Sequence, residues 1–137
     1  MHYKFYVSKS TKFYSEEEVL DMLSDFQKNN DDSGITGILL YKSGHFLQLL
    51  ESDDEEKLET LYYKISQDKR HSHVKTIVEG EYEKRIFEHW SMAFKNIESI
   101  DHDLSERIDE FIKSYEDEDS FDKEIILNTL KKFFYTM

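Results

Sequence analysis

The chain has 137 residues and carries 18 Lys and Arg against 30 Asp and Glu, a formal net charge of −12. This charge argues against nucleic acid or an anionic membrane surface as a partner, because both attract a basic face. The absence of cysteine excludes disulfides, thiolate metal sites and cysteine nucleophiles. No apolar run approaches the roughly 18 residues of a membrane span, and the first residues lack a secretory signal. We therefore expect a cytoplasmic protein, and its 15% aromatic content predicts that it folds.

Hydrophobic periodicity and turn signals divide the chain into nine elements. Ser15 is expected to cap the first helix and Ser52 the second, because acidic residues follow each of them in the first helical turn. A Lys-Ser-Gly sequence over 42–44 predicts a hairpin turn between two of the strands. In chain order, the predictions are a strand over 3–8, a helix after Ser15 that stops at 29–34, strands over 35–41 and 45–51, a helix after Ser52, strands over 74–82 and 90–95, and helices over 104–115 and 125–135.

This order predicts an α+β fold, a ferredoxin-like β-α-β-β-α-β-β sandwich with two additional C-terminal helices. The segments 38–41 and 46–50 are apolar at consecutive positions, whereas a sheet with one wet face would alternate. Both faces of the central strands should therefore be covered. We expect the C-terminal helical pair to cover the second face, so that residues 1–97 form the main domain and 98–137 an acidic helical extension packed on the sheet.

Gln48 and Tyr6 are polar side chains in otherwise apolar predicted strands. A buried amide without a partner costs about 1–3 kcal/mol, so Gln48 needs a hydrogen bond. A neighbouring backbone group or water would satisfy an ordinary core glutamine. Together, however, the amide and the phenol of Tyr6 could present a donor and an acceptor to a polar heterocycle.

Three further groups of residues each allow a structural and a functional interpretation. Asn29 and Asn30 end the first helix and serve either as its C-cap or as readers of a ring carbonyl and amide. Cations near the end of the second helix either complement the helix dipole or, as Lys64 and Arg70 with Asp68, bind a phosphate and a hydroxyl. The alternating segment 90–94 is typical of a core strand.

Taken together, five blocks of sequence resemble the BLUF family of flavin-binding blue-light sensors. Their order and spacing match over Tyr6 to Phe94, about two-thirds of the chain, which is far more specific than a single short motif. The blocks are Tyr6-Val7-Ser8; Asn29-Asn30 followed by the segment 34–41; Phe46-Leu47-Gln48-Leu49-Leu50-Glu51; Asp68-Lys69-Arg70-His71; and Arg85-Ile86-Phe87 with Trp90-Ser91-Met92.

The resemblance implies a flavin between the first two helices, with FAD expected and FMN or riboflavin as alternatives. It makes Tyr6 the electron and proton donor and Gln48 the amide that rearranges its hydrogen bonds. Trp90 and Met92 match the strand that carries the signal outward. The positions matching the family's flavin-binding residues are Met22 and Ile65 beside the ring, Asn29 and Asn30 on its polar edge, and Lys64, Asp68 and Arg70 on the ribityl and phosphate portions.

This reading predicts a photoreceptor and not an enzyme, because the segment after Phe94 is too short for a cyclase or phosphodiesterase domain. A downstream protein partner and a homo-oligomer are expected, with the acidic helical pair as the contact surface. One rival is a light-inert flavin-binding interaction module of the same fold. A second is a small hydrolase using Arg70 and His71, which we consider inferior because no nucleophile and base occur at a convincing spacing.

Overall fold

The computed structural model describes residues 1–30, 34–42, 44–87 and 90–94, together with Glu106, Asp109, Glu110 and Asn128. For Glu16, Leu23, 26–30 and 90–94 the description is confined to the backbone. The elements are β1 (His2–Ser10), α1 (Glu16–Asn30), β2 (Thr36–Lys42), β3 (His45–Ser52), α2 (Glu55–Ser66), β4 (His71–Glu81) and β5 (Trp90–Phe94).

The five strands form one sheet in the order β4-β1-β3-β2-β5. β1 pairs antiparallel with both β3 and β4, and β2 pairs antiparallel with β3. β5 pairs parallel with β2 at the edge of the sheet. The first four strands therefore form two split βαβ units, in which each helix connects two parallel strands on either side of a third. The predicted ferredoxin-like α+β fold is confirmed.

The two helices begin at polar caps, one of them at a different residue from the predicted one. Ser15 caps α1 in a capping box: its Oγ accepts from Glu18 N at 3.2 Å, and Glu18 Oε1 accepts from Ser15 N at 3.1 Å. The prediction that Ser52 caps α2 is wrong, because Asp54 is the N-cap and accepts from Lys57 N. Ser52 ends β3 and accepts from Asp54 N at 3.1 Å. Among the described residues, no helix is long and apolar enough to cross a bilayer.

β4 begins at His71, three residues before the predicted start. These three residues continue the pairing with β1, from Lys9↔Ser72 to Ser10↔His71, across a register shift. His73 lies within this irregularity and has a φ of 55°. A bulge places an additional residue opposite its partner strand, which breaks the period-2 pattern used to find the strand end. Residues 71–73 therefore show no apolar–polar alternation in the sequence, and the predicted strand began only at residue 74.

Both faces of the central strands are buried, as the consecutive apolar positions predicted. On β1, Phe5 and Val7 point to one face and are fully buried, while Tyr6 on the other face is 2% exposed. The predicted helices over 104–115 and 125–135, and the extension 98–137, fall outside the described residues apart from four positions. One of these four, the helical residue Asp109, lies on the side of the sheet that carries Phe5 and Val7, because its carboxylate pairs with Lys42 Nζ at 2.6 Å.

Gly37 is the point at which β2 approaches β3 too closely for any side chain. A Cβ atom built on Gly37 would stand 1.8 Å from Leu49 O, which is backbone and cannot rotate away. Gly34 differs, because its φ of +72° is strained for other residues but its nearest neighbour would be 3.8 Å away. The two glycines are therefore required for different reasons.

Replacing Gly37 by alanine should force β2 and β3 apart and lower the free energy of unfolding by about 3 kcal/mol. The matched variant Gly34→Ala should lower the free energy of unfolding by only about 1 kcal/mol, because alanine is strained in a left-handed conformation. Urea denaturation of both variants measures the two losses. Equal losses would contradict the close contact between Gly37 and the β3 backbone.

Candidate functional site

A cleft with an empty volume of about 290 Å³ opens beside the sheet face that carries Tyr6. Side chains from β1, α1, β2, β3, the turn after α2, and β4 converge on it, so residues distant in sequence share one wall. The lining residues are Tyr6, Met22, Leu39, Phe46, Asp68, Arg70 and His71.

Tyr6 and Gln48 face each other directly across β1 and β3. The side chain of Tyr6 is 2% exposed and that of Gln48 is fully buried. The Tyr6 phenol donates a hydrogen bond to Gln48 Oε1. Burial, with smaller contributions from the nearby Tyr62 and Asp68, raises the pKa of the Tyr6 phenol well above its ordinary value. The phenol therefore keeps its proton and remains a donor at neutral pH.

The second polar atom of the Gln48 amide, Nε2, takes no part in the hydrogen bond with Tyr6. Among the described residues, no group accepts a hydrogen bond from Gln48 Nε2. A buried donor without an acceptor costs about 1–3 kcal/mol, which proteins rarely tolerate without a reason. In the strand register Gln48 lies between Tyr6 and Leu39, both of which line the cleft. A bound molecule with a hydrogen-bond acceptor would satisfy this amide.

The strand register places one residue of each of the other three strands in line with Tyr6 and Gln48, so that the aligned positions form a row across the sheet. Thr76 on β4 lies opposite Tyr6, and Leu39 on β2 lies opposite Gln48. Leu39 is in turn aligned with Met92 on β5. Directly paired positions in a sheet share a face. The row therefore connects the phenol and amide with the edge strand through one intervening residue.

The surroundings of Tyr6 are apolar and aromatic. Its ring meets Tyr62 edge-on at a centroid distance of 5.7 Å and His71 at 6.2 Å. Tyr6 also belongs to a core cluster with Ile65, which is 2% exposed. Such an environment has a low effective dielectric constant, which strengthens each hydrogen bond of the phenol and the amide. The pair is thus shielded from water on the side of α2.

Asp68 and Arg70 form the polar rim of the cleft in the turn between α2 and β4. Arg70 Nη2 donates to Asp68 Oδ2 at 2.5 Å, and Nε donates to Oδ1 at 2.9 Å. This contact, more than the backbone bond from Arg70 N, lowers the pKa of the Asp68 carboxyl. Arg70 Nη1 also approaches Asp25 on α1 at 3.7 Å. Lys64 is exposed on α2 and does not line the cleft.

The cleft also contains three residues to which the flavin-binding interpretation of the sequence gave no role; one of them, His71, had a role only in the rival hydrolase. Leu39 and Phe46 read as ordinary core residues, although Phe46 shares a strand face with Gln48 by simple alternation. His71 read as part of a helix end. Its Nε2 lies 2.5 Å from Ile65 O, a pure acceptor, so Nε2 carries the proton and Nδ1 accepts from Ser8 Oγ at 2.7 Å.

The remaining predicted residues have a described backbone only. Asn29 and Asn30 are the last two residues of α1. Trp90 and Met92 lie on β5, paired in register with Gly37 and Leu39. Their side chains fall outside the described part of the structure, so the roles expected for them stay predictions.

Comparison with known proteins assigns the cleft to a family. The family model BLUF, described as sensors of blue-light using FAD, matches residues 1–93. The chain belongs to the BLUF family. It is therefore a flavin-binding blue-light sensor domain, which confirms the family and the flavin cofactor predicted from the sequence.

Three BLUF relatives show how the domain is used elsewhere. The chain is 36% identical over 98 residues to "Photoactivated adenylate cyclase subunit alpha-like protein FB" of Euglena gracilis, covering 69% of this chain and 9% of that protein. It is 40% identical over 58 residues to the "Blue light- and temperature-regulated antirepressor BluF" of Escherichia coli, covering 42% and 14%. The dark-state structure of BlrB, a BLUF protein, aligns with a TM-score of 0.74 at 25% identity, covering 97% and 93%. The chain thus spans about a tenth of the length of the Euglena gracilis and Escherichia coli relatives but nearly all of BlrB.

The described residues fit a flavin. The ring system of a flavin is a flat, largely apolar surface with carbonyl and imine acceptors along one edge. The cleft offers the apolar Met22, Leu39 and Phe46, and beside it the unpartnered Nε2 donor of Gln48. A flavin acceptor atom is the kind of group that this donor requires.

Asp68 provides a pH-dependent test of the rim. Because its folded-state pKa lies below the unfolded value of 3.8, the ion pair stabilises the protein above that pH and the stabilisation is lost as the pH falls through the folded-state value. Asp68→Asn should lower the free energy of unfolding at neutral pH by less than about 1 kcal/mol, since the pair is partly exposed. The difference from the unmodified protein should shrink at about pH 3.

Urea unfolding at the two pH values measures this difference, with the exposed α1 residue Asp21→Asn as the control. A constant difference at both pH values would show that Asp68 does not stabilise the turn through its charge.

Proposed function

We propose that Tyr6 and Gln48 are the light-responsive pair of this BLUF domain and that their hydrogen bonds change on illumination. The observation that carries this proposal is the buried amide whose Oε1 accepts from Tyr6 while its Nε2 has no acceptor among the described residues. Such an amide can connect a phenol with a ligand and respond to a change in either of them.

The residues that would hold the flavin are those that match the family's binding positions, and the cleft lining supports Met22, Asp68 and Arg70 among them. Met22 and Ile65, both buried, would flank the ring from α1 and α2. Asn29 and Asn30, at the end of α1, would bind its polar edge. Asp68 and Arg70 on the rim, with Lys64 outside it, would bind the ribityl and phosphate portions. The cofactor is FAD by the family's description, and FMN or riboflavin would use the same ring contacts.

A bound flavin that absorbs blue light would become an oxidant strong enough to take an electron from a phenol. Tyr6 is the donor, because its ring lines the cleft. An oxidised phenol becomes a strong acid, and the hydrogen bond to Gln48 Oε1, the one acceptor given to it by the described residues, would guide its proton. Gln48 would then exchange its donor and acceptor sides. The electron and the proton would return to Tyr6, so that the phenol is restored without net oxidation, and the low-dielectric surroundings would hold the new hydrogen bonds.

The output is a contact with another protein. Gln48 lies in register with Leu39 and Met92, so a rearranged amide acts on the edge strand β5. The Escherichia coli relative is named as an antirepressor and the Euglena gracilis relative as a cyclase, which supports signalling to an effector. We propose a non-enzymatic, homo-oligomeric domain acting on a protein partner, with neither nucleic acid nor a membrane. The cytoplasmic location expected from composition stays a prediction.

A changed hydrogen bond from Gln48 to the flavin would shift the flavin absorption reversibly to longer wavelength. Tyr6→Phe should keep the flavin and abolish this red shift, because the ring remains but no phenolic proton can move. Absorption spectra before and after blue illumination measure this. Tyr62→Phe is the matched control: its ring touches Tyr6, and its hydroxyl accepts from Thr76 at 2.7 Å instead of from the pair. A normal shift in Tyr6→Phe would reject Tyr6 as the donor. No shift in the unmodified protein would favour the light-inert module.

Gln48→Leu should likewise retain flavin and lose the shift, because the replacement fills the buried volume but offers no donor or acceptor. The flavin-to-protein absorbance ratio checks retention, and the difference spectrum checks the shift. Gln67→Leu, at the exposed C-cap of α2, should leave both unchanged. An unaltered shift in Gln48→Leu would contradict the role of the amide.

A further inference from the structure

Glu51 is a fully buried carboxylate three residues after Gln48 on β3. Its two oxygens accept three hydrogen bonds, and a threonine hydroxyl lies beside one of them. Oε1 accepts from Phe87 N at 2.6 Å and lies 3.2 Å from Thr36 Oγ1. Oε2 accepts from Ile86 N at 3.0 Å and from the Tyr82 hydroxyl. Buried carboxylates are expensive unless they are satisfied in this way.

Two of these donors are the backbone N–H groups of consecutive residues, one for each oxygen. Successive N–H groups that converge on one point form an anion-binding concavity. A glutamine in place of Glu51 would set its NH₂ group against Ile86 N–H in one orientation and against Phe87 N–H in the other. The arrangement is therefore specific for a carboxylate, which a merely space-filling residue would not require.

A second layer ties the same segment to β2. Thr36 Oγ1 lies 2.6 Å from Phe87 O and accepts from Arg85 Nη1 at 2.5 Å. The ring of Tyr82 stacks on Tyr3 at 4.7 Å, next to the carboxylate. Burial and the bond to Glu51 raise the pKa of the Tyr82 phenol, so it remains a donor. The segment 82–87 is thus held by β1, β2 and β3 together.

This segment is the connection that leads into β5. Thr36 directly precedes Gly37, the residue paired with Trp90 at the start of β5. Glu51 and Gln48 belong to the same strand, and both face away from solvent. A shift of β3 along its axis at Gln48 would reach the entry to β5 through the carboxylate.

We propose that Glu51 is a positioning residue for signal output, which fastens the connection 82–87 to β3 and so couples β5 to the strand that carries Gln48. This inference rests on the proposed function in one respect, that a change at Gln48 begins the signal. It adds a second route, through the backbone of β3, to the row of paired positions that ends at Met92.

The single tryptophan of the chain, Trp90, makes this testable, because its fluorescence reports on the start of β5 alone. Glu51→Gln should keep the flavin and its light-induced red shift. It should raise the acrylamide quenching constant of Trp90 in the dark roughly twofold, as the connection opens locally. It should also remove the difference in quenching between dark and illuminated protein. The control Glu81→Gln, an exposed carboxylate on β4, should behave like the unmodified chain.

Unchanged quenching in Glu51→Gln, in the dark and in the light, would overturn the proposal, as would loss of the red shift with the flavin retained. Tyr82→Phe keeps the ring on Tyr3 but removes one of the three hydrogen bonds to Glu51. It should change quenching in the same direction by less, and it carries the test if Glu51→Gln does not fold. If the unmodified protein shows no red shift, the proposed function fails, while the dark comparison still decides whether Glu51 fastens the connection.

Discussion

The hydrogen bond between Tyr6 and Gln48 is the interaction on which the site depends. It joins two buried polar groups across neighbouring strands and uses the oxygen of the amide, which leaves the nitrogen without an acceptor among the described residues. A core selected for stability alone would replace such an amide by a hydrocarbon side chain. The arrangement becomes reasonable when a ligand supplies the missing acceptor, and membership of a flavin-binding family states which ligand that is.

Two polar residues of β3 differ in how completely their polar side-chain atoms are hydrogen-bonded. Both oxygens of Glu51 accept hydrogen bonds, from Ile86 N, Phe87 N and the Tyr82 hydroxyl, all in the segment 82–87. Gln48 keeps one position open toward a bound molecule. In a low-dielectric interior a complete network is rigid, whereas an incomplete one can be rearranged. We propose that the strand combines a responsive position with an anchored one, three residues apart, and that signal output uses both.

The sequence predicted the order of the seven described elements and drew attention to Gln48, because both depended on local or strongly patterned signals. Apolar runs in β2 and β3 indicated two covered faces, and Gln48 was conspicuous because it interrupts such a run. The errors arose where tertiary contacts decide. Ser52 and Asp54 are both good caps, and only the end of β3 selects Asp54. The bulge at His73 concealed the start of β4, and Glu51 acquires its partners from residues more than thirty positions away. Lys64 matched a binding position in the sequence and does not line the cleft, so its contact with the ribityl or phosphate portion stays a prediction.

The most direct test of the Tyr6–Gln48 account is nuclear magnetic resonance of the glutamine side-chain amides in the flavin-loaded protein. The chain has only three glutamines, so the Gln48 signals are readily assigned. The account predicts Gln48 amide protons that exchange slowly with water when flavin is bound, and that change frequency reversibly under blue light together with the absorption spectrum. Gln48 signals that stay constant while the flavin absorption shifts would contradict it.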